Sequence, residues 1–186
     1  MTSLIQRLHT EFALKDLGPL EYFLGIQVTW TALGLHLRHS KYILDVLHRT
    51  RMIGAKPYSA PYVFGGKLSS QSGDPISNIS EYRSVIGALK YCTLTRPEIA
   101  YSVNQLCKHL HAPTTAHWSF AKCFLRYLKE TVDHGLYFTH GSLDFHAYSD
   151  SDWAGGPDNR RSTIGYGVFL VPVLFLGVPK AAHCLL

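Results

Sequence analysis

Two carboxylates two positions apart, Asp150 and Asp152, are the residues of this chain best placed to do chemistry. They sit in Tyr148-Ser149-Asp150-Ser151-Asp152-Trp153-Ala154-Gly155-Gly156, and Asn159-Arg160-Arg161-Ser162 leads into a return stretch ending at Leu170. The pattern reads as a strand, a glycine and arginine turn, and a second strand. Side chains at i and i+2 of a strand share a face, so the pair could cradle a divalent metal. A strand that simply ends in a polar turn satisfies the same pattern. Arg160 and Arg161 could meet nucleic-acid phosphates or only solvate the turn. Lys122, Arg126 and Lys129 fall near one face of a helix, as a solvated face or as contacts to a nucleic-acid duplex. Cys107, His109, His111, His117 and Cys123 invite a zinc site, but their spacing fits no finger pattern and Pro113 interrupts them. Tyr148 and Trp153 are expected as core aromatics in preference to base-stacking platforms.

The whole chain bounds what those residues can serve. It has 186 residues, 46% of them apolar, enough for a sizeable core and against wholesale disorder. The net charge of +5 suits a polyanionic partner such as nucleic acid, or plain solubility. Eleven histidines make the charge rise as the pH falls towards roughly 6.5. Cys92, Cys107, Cys123 and Cys184 show no CxxC spacing, and no signal peptide is evident. They are expected as free thiols in a reducing, intracellular compartment, in a protein that is not secreted. No apolar run approaches the roughly 20 residues that span a bilayer, so no membrane partner is expected.

The elements that must position the acids follow from periodicity. Leu4, Ile5, Leu8 and Phe12 predict one face of a helix, ended by Gly18-Pro19. Leu20, Tyr22, Leu24, Ile26, Val28 and Trp30 alternate as a strand, turned at Thr31-Ala32-Leu33-Gly34 and returned through Leu35 and Leu37. Ser40 can cap a helix bearing Ile43, Val46, Leu47 and Met52. Residues 55–79, with Pro57, Pro61, Gly65, Gly66, Gly73 and Pro75, read as a linker or extended loop. Three helices are predicted next. Tyr82, Val85, Ile86 and Leu89 line the first, after an Asn78–Glu81 capping box. Ile99, Val103, Leu106 and Leu110 line the second, with the same spacing at Thr95 and Glu98. Trp118, Ala121, Leu125 and Leu128 line the third. Short strands follow at Leu136–Thr139 and Asp144–Asp150.

Several phrases in this order carry a resemblance. They are Phe12-Ala13-Leu14-Lys15-Asp16-Leu17-Gly18-Pro19-Leu20-Glu21-Tyr22-Phe23-Leu24-Gly25-Ile26, then Lys41-Tyr42-Ile43 leading to Lys56-Pro57. Next come Tyr82-Arg83-Ser84-Val85-Ile86-Gly87-Ala88-Leu89-Lys90-Tyr91 and Thr95-Arg96-Pro97-Glu98-Ile99-Ala100-Tyr101-Ser102-Val103-Asn104. Leu125-Arg126-Tyr127-Leu128-Lys129-Glu130-Thr131 and the acidic stretch to Leu170 complete them. The chain resembles the reverse transcriptase and ribonuclease H region of Ty1/copia-type retrotransposon polyproteins.

The resemblance implies an α+β fold. Residues 1–54 would end the reverse transcriptase palm and start the thumb, 55–79 would link, and 80–135 would be helical thumb and connection. Residues 136–170 would be the N-terminal strands of an incomplete ribonuclease H-like domain. The tail, 171–186, departs from the family phrase and is expected to follow a frameshift. Arg96 is expected to support the helix junction. The family activities are RNA-directed DNA synthesis and cleavage of RNA in an RNA–DNA hybrid, with Mg2+ as cofactor and hybrid or DNA as partner. Two-metal chemistry needs several carboxylates. Asp150 matches the first ribonuclease H ligand, while the role of Asp152 is not carried over. No Asp-Asp pair occurs, no Glu follows Glu130 and no Asp follows Asp158. The expectation is a truncated, catalytically inactive piece, with Asp150 vestigial and no Mg2+ bound. The alternatives are a non-catalytic hybrid-binding remnant and a non-functional relic. One face of the 20–37 hairpin is expected to lie exposed, and the strands near Asp150 to lack later sheet partners.

Overall fold

The computed structural model describes residues 2–12, 18–32, 34–60, 68–139, 141, 144–170, 173–176 and 180–182. Expectations resting on residues 13–17, Leu33, Pro61, Gly65, Gly66, Pro172 and Cys184, and on the side chain of Ile5, lie outside these. The fold is α+β: a helical body with two antiparallel sheets.

Helix α1 (Thr2–Glu11) carries the predicted stripe, but Leu4, Leu8 and Phe12 are exposed. The alternation from Leu20 to Trp30 does not make one strand. Leu24 (φ 46°) and Gly25 (φ 77°) both take left-handed backbone, as a two-residue hairpin turn requires. Strand β1 (Tyr22–Phe23) therefore folds back on β2 (Ile26–Thr31), pairing Tyr22 with Gln27. The Tyr91 hydroxyl donates to the Leu24 carbonyl, and the Tyr91 ring lies 3.4 Å from where a Cβ on Gly25 would stand. Strand β3 (Gly34–Arg38) closes the expected hairpin, with Val28 opposite Leu37. Strand β4 (Gly135–Thr139) lies along β3, and His36 stacks on Tyr137 across the pair at 4.0 Å. Leu20, Tyr22 and Trp30 are exposed, while Val28 is buried.

The core is helical. Helices α2 (Ser40–Arg49), α3 (Ile79–Cys92), α4 (Ala100–Cys107) and α5 (Thr115–Glu130) share one apolar cluster. Leu47, Tyr82, Leu89, Leu106 and Leu125 are all fully buried in it. The stripes read from the sequence are the faces that meet. The Tyr82 hydroxyl donates to the Leu106 carbonyl at 3.0 Å, so the one polar atom that this ring takes inside is satisfied.

The helix ends differ from expectation in two places. Asn78 caps α3 as read, accepting from the Glu81 N–H at 3.0 Å. Ser40 does not cap α2: it is the first helical residue, and its hydroxyl donates to the Val132 carbonyl at 2.9 Å. Thr95 and Glu98 form no capping box. Thr95 turns inward to His39, with Oγ1 and Nδ1 2.6 Å apart, and Glu98 accepts from Arg96 instead. The three-residue helical turn Pro97–Ile99 that leads into α4 is held by buried Arg96, as its family phrase implied.

The described parts of 55–79 are strapped to the helical body. The Ala55 carbonyl accepts from Lys129 Nζ at 2.8 Å and the Lys56 carbonyl from Arg126 Nε at 2.6 Å. Ile76 N–H donates to the Pro113 carbonyl, and Leu68 and Ile76 pack on the core. The core runs through α2 before the segment and α3 to α5 after it.

The second sheet is built on β6 (Ser162–Leu170), with β5 (Phe145–Ser151) on one side. On the other side β7 (Val173–Leu176) and β8 (Lys180–Ala182) each pair with a different part of β6. The expected loss of later partners is thus corrected for β6, whose second edge is filled by strands from the 171–186 tail, while among the described strands β5 pairs with β6 alone.

Candidate functional site at the acidic strand

The strand carrying the acids is the outer member of its sheet, and every residue of β5 is exposed. Asp150 stands opposite Gly165, as Tyr148 stands opposite Gly167. Across from each side chain there is only backbone, and a Cβ on Gly165 would meet nothing within 4 Å. Asp150 lines a cavity of about 300 Å3 with Glu98, Tyr101 and Tyr148. Its Oδ1 accepts from the next N–H, that of Ser151.

Asp152 lies just past the end of β5 and has a different role. Its Oδ1 accepts from the Thr163 N–H, and its own N–H donates to the Thr163 carbonyl at 3.1 Å. A Cβ on Gly155 would run into this carboxylate, so glycine is what lets the chain pass so close. The turn it starts is closed by Arg160 N–H to the Gly156 carbonyl (2.9 Å), Gly156 N–H to the Arg161 carbonyl (3.0 Å), and Arg161 N–H to Asn159 Oδ1 (3.1 Å). Ala154 N–H donates to the Ser162 hydroxyl at 3.0 Å.

The two acids therefore do not converge. Asp152 lines a second cavity, of about 260 Å3, with Tyr101, Gln105, Lys108, Trp153 and Thr163. Among the described residues no three histidine, cysteine, aspartate or glutamate side chains come together to hold a metal. The donors that the resemblance offers for Mg2+ do not fit a metal pair. One is alone on an open strand apart from Glu98, which is already bound to Arg96, and the other is engaged by a backbone N–H.

The basic residues divide likewise. Arg160 and Arg161 are exposed on the turn, and Arg160 takes left-handed backbone at φ 55°. Lys122 is exposed over the Trp118 ring at 5.6 Å. Arg126 and Lys129 hold the Lys56 and Ala55 carbonyls, and Arg126 also covers the Tyr58 ring at 5.3 Å. A solvated face or a duplex contact was the choice read from the sequence, and a tether to a distant loop is a third role that helix periodicity cannot signal.

The residues around the suggested zinc site scatter. His117 is buried, 3.0 Å from Thr114 Oγ1 through Nδ1, and stacked on His109 at 3.9 Å; His111 is exposed. Burial holds the His117 ring down to about 4, with His109 adding to the effect and Asp158 opposing it. Asp158 accepts from the Ser69 hydroxyl (2.6 Å) and the Ser70 N–H (2.9 Å), which fastens the turn to the helical body and lowers its pKa. Tyr148 and Trp153 are not core residues, at 66% and 81% exposure. Among the described residues no second layer packs on β5, every residue of which is exposed, and Trp153 lies past the end of that strand. Lys108, at the end of α4, was not singled out from the sequence. Its ammonium reaches Thr163 Oγ1 at 3.4 Å, and burial lowers its pKa against the opposing pull of Asp152. Only the fold brings Lys108 and Asp152 together, so no local signal could have found it.

Comparison with known proteins gives a consistent result. The chain is 44% identical over 167 residues to the retrovirus-related Pol polyprotein from transposon RE2 of Arabidopsis thaliana, covering 89% of this chain and 12% of that protein. It is 46% identical over 167 residues to the corresponding polyprotein from transposon RE1, covering 89% of this chain and 11% of that one. It is 45% identical over 172 residues to an uncharacterized mitochondrial protein of the same plant, covering 91% of this chain and 71% of that protein. The chain thus spans 11–12% of the length of the two polyproteins. No protein-family model and no solved structure matches it. Among the described residues no helix is long and apolar enough to cross a membrane.

Proposed function

We propose a function from one premise: the chain belongs to the retrovirus-related Pol polyproteins of copia-type transposons. In this reading residues 1–54 end the palm and start the thumb of a reverse transcriptase, 80–135 are its helical thumb and connection, and 136–170 are the opening strands of a ribonuclease H-like sheet. Their role is to grip an RNA–DNA hybrid, and they do not cut or extend it by themselves. Residues 55–79 act as a strap along the helical body, and Mg2+ chemistry is not supported by the acids of these residues alone.

The observation that carries this reading is the turn at 156–161. It presents Arg160 and Arg161, both exposed, on a backbone closed by three hydrogen bonds within the turn and tied down by two more to Asp158. Such a turn offers guanidinium groups to phosphates with little ordering left to do. Beside it, Asp152 serves the turn and Asp150 faces another cavity, so the site is arranged for holding and not for two-metal hydrolysis.

Binding is tested with a fluorescein-labelled RNA–DNA hybrid in a salt series. Each phosphate contact contributes about 0.9 to the slope of log K against log salt. Replacing Arg160 and Arg161 together by alanine is expected to weaken binding uniformly and to lower that slope by about two. An unchanged slope removes the turn from the interface, and absence of binding at low salt removes the reading.

A further inference from the structure

The cavity of about 260 Å3 between α4 and the β5–β6 turn is not used by the hybrid grip. Its walls are unusual for a structural gap. Lys108 and Asp152 both line it, and both are fixed to the same residue: Lys108 Nζ to Thr163 Oγ1, Asp152 to the Thr163 N–H. Gln105 adds an amide, and the Trp153 indole, 81% exposed, stands at the rim. Tyr101 is on the wall shared with the neighbouring cavity.

A ligand for this site needs an aromatic plane for Trp153. Its edge must carry an acceptor beside donors, for an ammonium next to a carboxylate. An ionised carboxylate can accept about four hydrogen bonds. Thr163 N–H takes one position on Oδ1 and the Gly155 backbone lies close against Oδ2, so a ligand must use the direction left open on each oxygen. Guanine has this edge: O6, then N1–H, then the 2-amino group. O6 would face Lys108, and the two donors would face Asp152. Uracil offers an acceptor and one N–H, so it fills the carboxylate only singly. Adenine and cytosine each offer one amino group there.

We propose that this cavity binds the base of a guanine nucleotide, stacked on Trp153 and read by Lys108 and Asp152. The proposal rests on the nucleic-acid reading above and adds a base-reading pocket for an unpaired nucleotide to it.

Calorimetric titration of the chain with GMP and UMP tests it, alongside a short single-stranded oligonucleotide ending in unpaired guanine. A bidentate pair discriminates bases by roughly tenfold or more, so GMP is expected to bind at least that much tighter than UMP. Asp152→Asn keeps an oxygen for the Thr163 N–H but removes one acceptor and the charge, and it is expected to abolish the preference. Trp153→Ala is expected to weaken GMP and UMP alike, by about tenfold. Tighter binding of the oligonucleotide than of GMP assigns the pocket to a strand end, and the reverse assigns it to free nucleotide. Equal binding of GMP and UMP, no binding of either, or an Asp152→Asn variant that keeps the preference overturns the proposal. The hybrid titration is independent. GMP binding lost with hybrid binding intact overturns the pocket alone. GMP binding kept without hybrid binding overturns the grip alone.

Discussion

Arg96→Ala is expected to lower the unfolding free energy by about 2–4 kcal/mol, through the lost packing and hydrogen bonds of a buried side chain whose ion-pair partner Glu98 is exposed. The guanidinium is 1% exposed and makes three bonds: Nη1 to the Thr131 carbonyl (2.8 Å), Nη2 to Thr131 Oγ1 (2.6 Å), and Nε to Glu98 Oε1 (2.6 Å). Its face covers the Tyr127 ring at 5.5 Å. These contacts join the break between α3 and α4 to the end of α5, where the Tyr127 hydroxyl also donates to Glu98 Oε1 at 3.5 Å. Alanine leaves a cavity the size of the side chain. It also removes one of the two donors to the Thr131 carbonyl, which keeps the His134 N–H at 3.0 Å. Thr131 Oγ1 still donates to the Tyr127 carbonyl at 2.9 Å, so the hydroxyl is not orphaned. Arg96→Lys keeps the charge, but one ammonium cannot match the planar fork that serves Thr131 and Glu98 together. It is expected to recover less than half of the loss. Urea unfolding midpoints check both variants. An Arg96→Ala change within about 1 kcal/mol of the parent, the size of an ordinary point substitution, would show that the junction does not depend on this network.

The second large effect is expected from pH. His39 and His117 are both 0% exposed. Burial is the first cause in each case, and it lowers their pKa values from 6.5 to about 4. His39 sits under Tyr42 and Tyr91 with Nδ1 on Thr95, and its Nε2 has no hydrogen-bond partner. The unfolded chain takes up protons near 6.5, while the folded chain refuses them until about 4. The stabilisation is therefore complete above pH 6.5 and is lost as the pH falls towards 4. From pH 7 to pH 5 the loss is about 2 kcal/mol per histidine, or roughly 3–4 kcal/mol for the pair. His36 and His109 shift downwards as well, burial again being the largest cause, and act in the same direction. Against a typical total of about 5–15 kcal/mol, the protein is expected to be marginal at pH 5. Urea titrations at the two pH values check this, with His39→Gln and His117→Gln each expected to flatten the dependence. Equal midpoints at pH 7 and pH 5 would contradict it.

What the sequence made legible was the helical body. Tyr82, Val85, Ile86 and Leu89 repeat at helical spacing because one face must be dry, and all four are buried. The sheets were less legible. Alternation read Leu20 to Trp30 as one strand, whereas the turn at Leu24 and Gly25 pairs Tyr22 with Gln27 and Phe23 with Ile26 and so puts Tyr22 and Ile26 on opposite faces, a change of parity that the apolar pattern does not mark. The pairing of β4 with β3 depends on a long-range choice that no local pattern encodes. The site was misread where partners are distant. Lys129 and Arg126 look like a solvated stripe until the carbonyls of Ala55 and Lys56 come beside them. Asp152 looks like half of a metal cradle until Thr163 supplies its N–H. Trp153 looks like core by composition, but exposure depends on what covers β5, and nothing described here does. The role expected of Arg96 came with the family phrase that contains it, and its burial with Thr131 and Glu98 as partners gives that role its physical reason.

The central claim is that these residues hold a hybrid without cutting it. An RNA–DNA hybrid with end-labelled RNA, incubated with the chain and Mg2+ at low salt and resolved on a denaturing gel, tests it most directly. The RNA is expected to remain full length while the hybrid is bound. Shortened RNA, made by the parent chain and not by Asp150→Asn, would contradict the account.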